Sequence, residues 1–433
     1  MLDIQFIRDN PELVAEKSRQ KGYDVDVQQL LGFDGKKKEL LQQVEEKRRL
    51  RNEHAASLKQ GAPSAENIEK GKALKEELGD LEHQLDAIEE EYQVLLRKVP
   101  NMPLDDVPVG ASEDENVVAK QVGAKPQFDF KPKQHYEIAE ARGWLDKERA
   151  AKIAGSRFAY LKADLVRLQF AIIQFVMITL SDEQVIKRLI DENNLDLSSK
   201  GFNPILPPAM LRTEPYIASS RLDAEEVTYK IEQDDLWLNA SAEHTLCTMY
   251  WNEILPEEQM PIRYLGYSTS FRREAGTYGK DTEGFLRLHQ FDKLEMEVFS
   301  TPETGLQEWQ LLVAIQEYLM QQLGIPYQVL EKCTADIGKP NARGVDIEAW
   351  LPGQDTYRET HTADYMTDYQ ARDLKIRVKR DSGKTEFVHT NDATAFALGR
   401  AMIAIIENCQ TAEGKVVVPE VLRAYLGGRT ELG

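Results

Sequence analysis

Cysteine is scarce in this chain of 433 residues, which has three: Cys247, Cys333 and Cys409. They are widely spaced and form no CxxC pair, so neither a zinc site nor a disulfide framework is supported, and we expect the thiols to pack as small apolar groups. Long apolar runs are lacking too, since none approaches the roughly 18 to 20 residues that span a bilayer. The sequence therefore predicts a cytoplasmic protein with no membrane partner.

Positive charge is also in deficit, because 54 lysines and arginines face 73 aspartates and glutamates, a formal net charge of -19. Phosphate backbones attract clustered Lys and Arg, so this chain should not coat nucleic acid with its whole surface. We expect no DNA partner, and any RNA site should be local. The hydrophobic content of 42% is normal for a globular protein, and the length allows two or three domains.

One local basic segment lies between Asp34 and Gln60, with eight basic and five acidic residues. Its candidate RNA contacts are Lys47, Arg48, Arg49 and Arg51. A solvated helix face of mixed charge is the alternative interpretation.

The following segment repeats apolar residues four and three apart, the spacing of a coiled-coil seam. The repeat consists of Leu74, Leu78, Leu81, Leu85, Ile88, Tyr92 and Leu95. Residues 61–64 interrupt the helical pattern and are typical of a turn. We predict an antiparallel helical arm over about residues 34–98, with a second helix, Ala65 to Lys98, roughly 50 Å long. A generic dimerisation arm is the alternative.

A Pro-, Gly- and Asp-rich stretch predicts a linker over residues 101–135. It would separate an N-terminal domain, residues 1–100, from a second domain, residues 136–433.

The most informative stretch runs from Phe271 to Glu295, where alternating residues flank a Gly-rich loop. This pattern predicts an antiparallel hairpin that points one set of side chains from one face. The set is Arg272, Glu274, Arg287, Phe291 and Glu295. Arginine binds phosphate through its planar fork, a carboxylate accepts from an amine, and a ring stacks on a purine, so the set matches a nucleoside triphosphate beside an amino acid. The wet face of an ordinary hairpin is the alternative.

The spacing Phe-Arg-x-Glu, a loop, then Arg-x-x-x-Phe-x-x-x-Glu resembles motif 2 of class II aminoacyl-tRNA synthetases, and the run from Gly279 to Glu295 is most similar to the seryl-tRNA synthetases. Other segments resemble that family in the same order along the chain. They are motif 1 at residues 201–208, Ser241-Ala242-Glu243 in place of the Thr-x-Glu loop, the ATP and metal segment Glu359-Thr360-His361-Thr362, and motif 3 from Asp392 to Arg400.

The resemblance implies an α+β fold, in which an antiparallel sheet flanked by helices follows an N-terminal antiparallel helical coiled-coil arm. It also implies a homodimer formed through motif 1. The implied reaction joins L-serine and ATP into seryl-adenylate, and serine then passes to the 3' end of tRNA(Ser), held by the arm. Where tRNA(Sec) exists, the family implies that it is a substrate as well.

The same resemblance implies residue roles. ATP would be bound by Arg272, Arg273, Glu274, Arg287, Phe291, Glu359, Thr360, His361, Thr362 and Arg400, and Mg²⁺ by Glu359 and Thr362. Serine would be bound by Ser241, Ala242, Glu243, Arg272, Glu295, Asp392 and Thr394. The catalytic residues would be Arg272, Glu274 and Arg400.

Two positions depart from the family pattern. Asp392 stands where the family usually has the amide of Leu-Asn-Gly-Ser, and an ionised acid cannot donate a hydrogen bond. Glu283 stands where a basic loop residue is common. We expect Asp392 to tune the serine pocket without changing its identity.

Two other functions stay open. One is a synthetase-like paralogue that charges another acceptor, such as a carrier protein, against which the basic arm argues. The other is a non-catalytic coiled-coil RNA-binding protein, against which the presence of Arg272, Glu274, Glu359 and Arg400 argues.

Overall fold

The computed structural model describes residues 1–58, 64–222, 228–274 and 283–433. Contacts divide the chain into two compact units, Met1–Met102 and Pro103–Gly433. The predicted turn of the arm lies mostly outside the described residues, as does most of the loop within the motif 2 segment.

The first unit is helical, and its helices are α1 (Ile4–Asp9), α2 (Pro11–Gln20), α3 (Val27–Ser57) and α4 (Ala65–Lys98). The two long helices begin at side-chain caps. Asp26 accepts from the backbone N–H of Gln29 at the start of α3, and Ser64 accepts from that of Asn67 at the start of α4. These helices confirm the predicted arm.

The predicted seam of α4 lies on the protected face of that helix. Leu78 and Tyr92 are buried, and the other five seam residues are half-buried. Tyr92 also lies under the ammonium of Lys37 from α3, 4.2 Å from the ring centroid. The heptad spacing therefore identified the packed face of α4 correctly.

The second unit is α+β. Its helices are α5 (His135–Ala141), α6 (Lys147–Ala154), α7 (Asp164–Ser181), α8 (Glu183–Glu192), α9 (Thr213–Ala218), α10 (Glu243–Leu246), α11 (Gly305–Leu323), α12 (Tyr369–Leu374), α13 (Leu398–Asn408) and α14 (Glu420–Arg423). Its strands are β1 (Val117–Val122), β2 (Leu145–Asp146), β3 (Tyr160–Leu161), β4 (Asn203–Ile205), β5 (Met210–Arg212), β6 (Lys230–Ile231), β7 (Leu236–Leu238), β8 (Ile254–Pro256), β9 (Ile262–Phe271), β10 (Gln290–Ser300), β11 (Tyr327–Glu331), β12 (Arg343–Leu351), β13 (Thr356–Thr367), β14 (Arg377–Lys379), β15 (Thr385–Phe387), β16 (His389–Ala397), β17 (Val416–Val417) and β18 (Glu431–Leu432).

An eight-stranded sheet organises this unit, with the strand order β1-β11-β12-β13-β16-β10-β9-β4. Its neighbouring strands pair antiparallel, except that β4 runs parallel to β9 at one edge. The predicted antiparallel sheet flanked by helices is confirmed. The remaining strands form small sheets with the orders β15-β14-β8, β5-β7-β6, β17-β18 and β2-β3.

Side-chain alternation along β10 and β16 separates an apolar face of the sheet from a polar one. The apolar face packs with α11 and α13 in the main core and includes Leu294, Met296, Val298, Ala393 and Ala395. The opposite face carries the residues between them, which include Lys293, Glu295, Glu297, Asp392 and Thr394. The polar face is the one available for chemistry.

Helix α7 belongs to the main core. Its mean hydropathy is 1.4 over 18 residues, so among the described helices it alone could cross a membrane by length and composition, against the expectation from sequence. However, Leu165, Leu168, Ile172 and Val176 are at most 1% exposed and pack in the same core as Leu294. Such burial is typical of a core helix.

The three cysteines are free thiols, as the sequence predicts. Cys247 and Cys333 are buried, and Cys409 is half-buried against the main core.

A buried ion pair joins β9 to α11. Arg263 donates through Nε to Glu308 Oε2 at 2.9 Å and through Nη2 to Oε1 at 2.8 Å, with both side chains at most 1% exposed. Burial raises the pKa of Glu308 despite the opposing charge of Arg263. The carboxylate therefore depends on its partner to stay ionised.

We predict that Arg263→Met lowers the free energy of unfolding by about 3 to 5 kcal/mol, because it leaves Glu308 buried without its cation. The double variant Arg263→Met/Glu308→Leu should recover part of the loss. Urea unfolding followed by tryptophan fluorescence is the measurement, since all five tryptophans lie in Pro103–Gly433. Equal losses in the single and double variants would contradict this account.

Candidate active site

A cavity of about 310 Å³ opens on the polar face of the main sheet. It brings together twelve of the residues that the sequence singles out. They are Glu243, Arg272, Glu274, Arg287, Phe291, Glu295, Glu359, Thr360, Thr362, Asp392, Thr394 and Arg400. Residues up to 179 positions apart in the chain thus line one pocket, since Arg221 and Arg400 both reach it.

The predicted hairpin is present, but only part of its residue set lies on the strands. β9 and β10 pair antiparallel, with Phe271 opposite Gln290. Phe291 and Glu295 lie on β10, whereas Arg272, Glu274 and Arg287 lie in the connection between the strands. The prediction that strand alternation orients all five was therefore wrong, although all five line the cavity.

Arg272 is held from three sides. Its backbone N–H donates to the His289 carbonyl at 2.9 Å, and His289 Nδ1 donates to the Arg272 carbonyl at 2.8 Å. Its Nε donates to the carbonyl of Ala240 at 3.1 Å, and its guanidinium lies 5.3 Å from the Phe291 ring centroid. These contacts fix the cation before any ligand arrives, as preorganised charge stabilisation requires.

Two further arginines face carboxylates in the cavity. Arg287 Nη1 lies 3.4 Å from Glu274 Oε2, and Arg400 Nη1 lies 2.9 Å from Glu359 Oε1. Arg400 follows β16 in the first turn of α13, which is the strand-to-helix unit expected for motif 3. Arginine forks suit phosphate as well as carboxylate, so an anionic ligand can take over these contacts.

A β-bulge decides which side of β13 each residue of the 359–362 segment faces. The register with β12 shifts between Ile347 and Glu348, which leaves Thr360 as the extra residue. As a result Glu359 and Thr362, three positions apart, both line the cavity. His361 lies between them and packs on the other side, with its ring centroid 4.9 Å from that of Phe396.

His361 therefore does not line the cavity, and the structure does not support the expected contact of its side chain with ATP. Arg273, Ser241 and Ala242 are also outside the lining set. Ser241 is buried directly behind it, because its hydroxyl accepts a hydrogen bond from Lys293 Nζ at 2.8 Å. Glu283 is the first described residue after position 274, and its exposed carboxylate lies 3.8 Å from Lys147 Nζ.

Lys293 is the central residue of the inner end, and the sequence analysis missed it. Its ammonium contacts Glu295, and it lies 3.6 Å from Glu243 Oε2. The signal was available, since Lys293 lies midway between Phe291 and Glu295 in the same alternation. Arg221, Lys332 and Asp364 also line the cavity, and no local pattern marks them.

The inner carboxyls differ in acidity because their neighbours differ. Burial works against ionisation of Glu243, but Lys293, His244 and Arg221 outweigh it and lower its pKa. Burial raises the pKa of Glu295 well above its ordinary value, and Lys293 only partly opposes this. Burial likewise raises the pKa of Asp392 to about 7, although Arg221 opposes it. The inner end thus combines the Lys293 ammonium, the ionised carboxylate of Glu243 and two carboxyl groups, those of Glu295 and Asp392, whose pKa values are raised.

In the arm, carboxylates already face most of the predicted RNA contacts. Lys47 contacts Glu77, Arg48 lies 2.7 Å from Glu82, and Arg49 lies between Glu46 and Glu53. Arg51 donates to Asn52 at 3.4 Å. These pairs are exposed and therefore weak, so a phosphate can compete for the cations.

Comparison with known proteins agrees with this geometry. Residues 1–103 match the seryl-tRNA synthetase N-terminal domain, and residues 228–409 match the tRNA synthetase class II core domain (G, H, P, S and T). A serine-tRNA ligase of Thermodesulfovibrio yellowstonii is 40% identical and covers 99% of both chains. One of Deinococcus radiodurans is 39% identical and covers 100% of this chain and 99% of that protein.

Two solved structures share the fold. Seryl-tRNA synthetase from Pyrococcus horikoshii, solved with ATP, has a TM-score of 0.86 at 37% identity and covers 100% of this chain and 99% of that chain. Cytoplasmic serine-tRNA ligase from Naegleria fowleri, solved with AMP, has a TM-score of 0.83 at 28% identity and covers 100% and 98%. The fold is that of a class II aminoacyl-tRNA synthetase. Within that class, the chain belongs to the seryl-tRNA synthetase family, as the motif order predicts.

The burial of His361 predicts a pH dependence of stability. Burial lowers its pKa from 6.5 to about 3, so it stays neutral in the folded protein while the unfolded chain takes up a proton below pH 6.5. Stability should therefore fall as the pH falls from 6.5 towards about 4. We expect His361→Gln to remove about 1 kcal/mol of this loss per pH unit.

Urea unfolding at several pH values, followed by tryptophan fluorescence, measures this slope. His83→Gln, on the exposed surface of α4, is the matched control and should leave the slope unchanged. An unchanged slope in His361→Gln would show that the histidine is not the titrating group.

Proposed function

We propose that this chain activates L-serine with ATP to form seryl-adenylate and then transfers serine to tRNA(Ser). The observation that carries the proposal is the polarity of the cavity. Arg287 and Arg400 lie towards one end, the carboxyls around Lys293 form the other, and Arg272 is fixed between Phe291 and Ala240. A triphosphate and an amino acid then meet at Arg272.

In this proposal the serine carboxylate attacks the α-phosphate of ATP and pyrophosphate leaves. Arg272 binds the serine carboxylate and the α-phosphate, Arg400 binds the γ-phosphate, and Phe291 and Glu274 form the adenine site. Rate enhancement comes from orientation and from charge stabilisation by cations that are already in place. No covalent enzyme intermediate is required.

Glu359 and Thr362 are suited to a magnesium ion that accompanies the nucleotide. Their carboxylate and hydroxyl oxygens are hard donors, and Thr362 Oγ1 is itself oriented by a hydrogen bond of 2.7 Å to Asp346 Oδ1. The described residues hold no group of three or more metal-ligating side chains, so most of the remaining ligands would be phosphate oxygens and water. Bound magnesium would neutralise charge on the phosphates.

The inner end would hold the amino acid. Glu243 and Glu295 accept from the serine ammonium and hydroxyl, helped by Ser241, Asp392 and Thr394. A site that hydrogen-bonds a hydroxyl can reject the analogue that lacks it by about four to five orders of magnitude, which would exclude alanine. Lys293 holds these carboxyls together and shares them with the substrate.

The proposal predicts that, of the twenty amino acids, serine supports the strongest exchange of pyrophosphate into ATP. Arg272→Ala should slow that exchange about a hundredfold or more, because it removes a preorganised donor at the α-phosphate. Arg188→Ala, on α8 and outside the cavity, is the control and should exchange normally. Stronger exchange with another amino acid would refute the serine assignment, and near-normal exchange by Arg272→Ala would refute the role of that residue.

We also propose that residues 1–100 form a tRNA-binding domain whose arm grips the tRNA. The linker predicted over residues 101–135 contains β1, a strand of the main sheet, so we propose that the catalytic domain begins at Pro103 instead of residue 136. The support for tRNA binding by the arm is the length of α3 and α4 and the weak, exposed ion pairs along these helices. Charging of tRNA(Sec) is a further expectation of the family. We infer in addition that the protein is cytoplasmic. We also infer a homodimer, because β4 lies at the edge of the sheet and the adjacent Leu206 is 73% exposed.

The arm can be shortened where its helices face each other. Lys37 of α3 pairs with Glu89 of α4, so deleting residues 41–85 and inserting a short Gly-Ser bridge keeps the base of the arm. We expect serine-dependent exchange to persist, because every proposed catalytic residue lies after position 200, while charging of tRNA(Ser) collapses. The intact protein should lose tRNA affinity steeply with added salt, and the deletion variant should show a flatter slope.

Charging assays with tRNA(Ser) and tRNA(Sec) transcripts, with tRNA binding measured at several salt concentrations, test this. Undiminished charging by the shortened protein would assign the arm to structure or dimerisation. Serine-dependent exchange without tRNA charging in the intact protein would favour the alternative of a paralogue that charges another acceptor, such as a carrier protein.

A further inference from the structure

Arg221 enters the inner end of the cavity from the segment that follows α9. Its guanidinium contacts the carboxylate of Asp392, and the two side chains are 14% and 6% exposed. Its Nη2 also lies 3.8 Å from Met366 Sδ, next to the sheet. The pair is therefore largely shielded from water, where a charge contact is strong and the loss of one partner is costly.

Asp392 is the middle member of a row of three acidic residues across three strands. It pairs in register with Glu297 on β10 and with Asp364 on β13, and directly paired residues in neighbouring strands point to the same face. All three are buried, with exposures of 0% for Glu297, 4% for Asp392 and 6% for Asp364. Asp364 and Asp392 line the cavity, and Glu297 lies buried beside them in the row.

The row has few partners of its own. Both carboxyl oxygens of Glu297 and Oδ1 of Asp364 are buried without a hydrogen bond from any described residue. Burial and the charge of Asp392 raise the pKa of Glu297 well above its ordinary value. Among the described ion pairs, the one that reaches this row is Arg221 with Asp392. Arg221 is therefore the cation that opposes the effect of burial and of Asp364 on the pKa of Asp392, and it holds the Asp392 carboxyl group in place.

We propose that Arg221 determines amino-acid specificity by acting through Asp392, as an extension of the proposed serine activation. By pairing with the Asp392 carboxyl group, Arg221 orients it as a buried acceptor for a substrate side chain that donates a hydrogen bond, such as a hydroxyl. It also cancels one negative charge, so the end accommodates a neutral amino-acid side chain.

The alternative is that Arg221 only stabilises the fold. That role would lower activity for every substrate and would leave the discrimination between amino acids unchanged. A specificity role acts on the amino acid alone, because Arg221 contacts the inner end of the cavity, whereas Arg287 and Arg400 lie at the other.

The first measurement is pyrophosphate exchange by Arg221→Met, with KM determined separately for serine and ATP. We expect the KM for serine to rise about tenfold or more and the KM for ATP to change less than about twofold, since a tenfold change corresponds to loss of one net hydrogen bond. The preference for serine over alanine should shrink by a similar factor. Arg221→Gln, similar in length and also neutral, replaces the first variant if that one does not fold.

The second measurement is a double-mutant cycle. Asp392→Asn alone leaves Arg221 without its carboxylate, and the double variant Arg221→Met/Asp392→Asn removes both charges. If the two act together, the KM for serine in the double variant lies well below the product of the two single effects. Multiplicative effects would overturn the proposal.

Arg380→Met is the matched control. The Arg380 side chain is also 14% exposed and pairs with Glu257, Glu303 and Glu386, yet it lies outside the cavity. Its loss should lower stability without changing either KM. If Arg380→Met changes the KM for serine as Arg221→Met does, or if the KM for ATP rises as much, the specificity role is wrong. If wild-type protein prefers another amino acid, the serine proposal fails, and the cycle is repeated with that amino acid to test Arg221 separately.

Discussion

The alternation of side chains across β10, β16 and β13 is the constraint on which the rest of this protein depends. One face must be apolar to bury α11 and α13, so every second residue is unavailable for chemistry. The intervening positions carry Lys293, Glu295, Asp392 and Thr394 at the same depth and on the same surface. A rigid sheet thereby holds charged groups at fixed distances, which loops alone do much less well.

The β-bulge in β13 at its pairing with β12 makes the nucleotide end possible. Glu359 and Thr362 are an odd number of positions apart, and a regular strand would point them to opposite faces. The extra residue in β13 restores them to one face and sends His361 into the core. The same bulge thus explains the proposed magnesium pair and the histidine whose low pKa couples stability to pH.

Charge in the cavity is compensated by pairs rather than by solvent. Arg287 faces Glu274, Arg400 faces Glu359 and Arg221 faces Asp392. Each pair keeps a cation oriented before ligands bind, which lowers the reorganisation needed in the reaction. The pairs differ in burial, since the Glu359 side chain is 48% exposed whereas that of Asp392 is 6% exposed. Exposed pairs can exchange partners with phosphates, and the buried one is suited to a fixed role in recognition.

The sequence by itself determined the helical arm, the antiparallel class of the main sheet and the motif residues of the cavity, because heptad spacing, alternation and short local patterns are properties of neighbouring residues. Only the tertiary structure decided that Arg272, Glu274 and Arg287 act from a connection instead of a strand, and that His361 faces the core. It also decided that Arg221 meets Asp392 from 171 positions away. Strand register and the packing of distant segments set those contacts, and no periodicity in the chain encodes them.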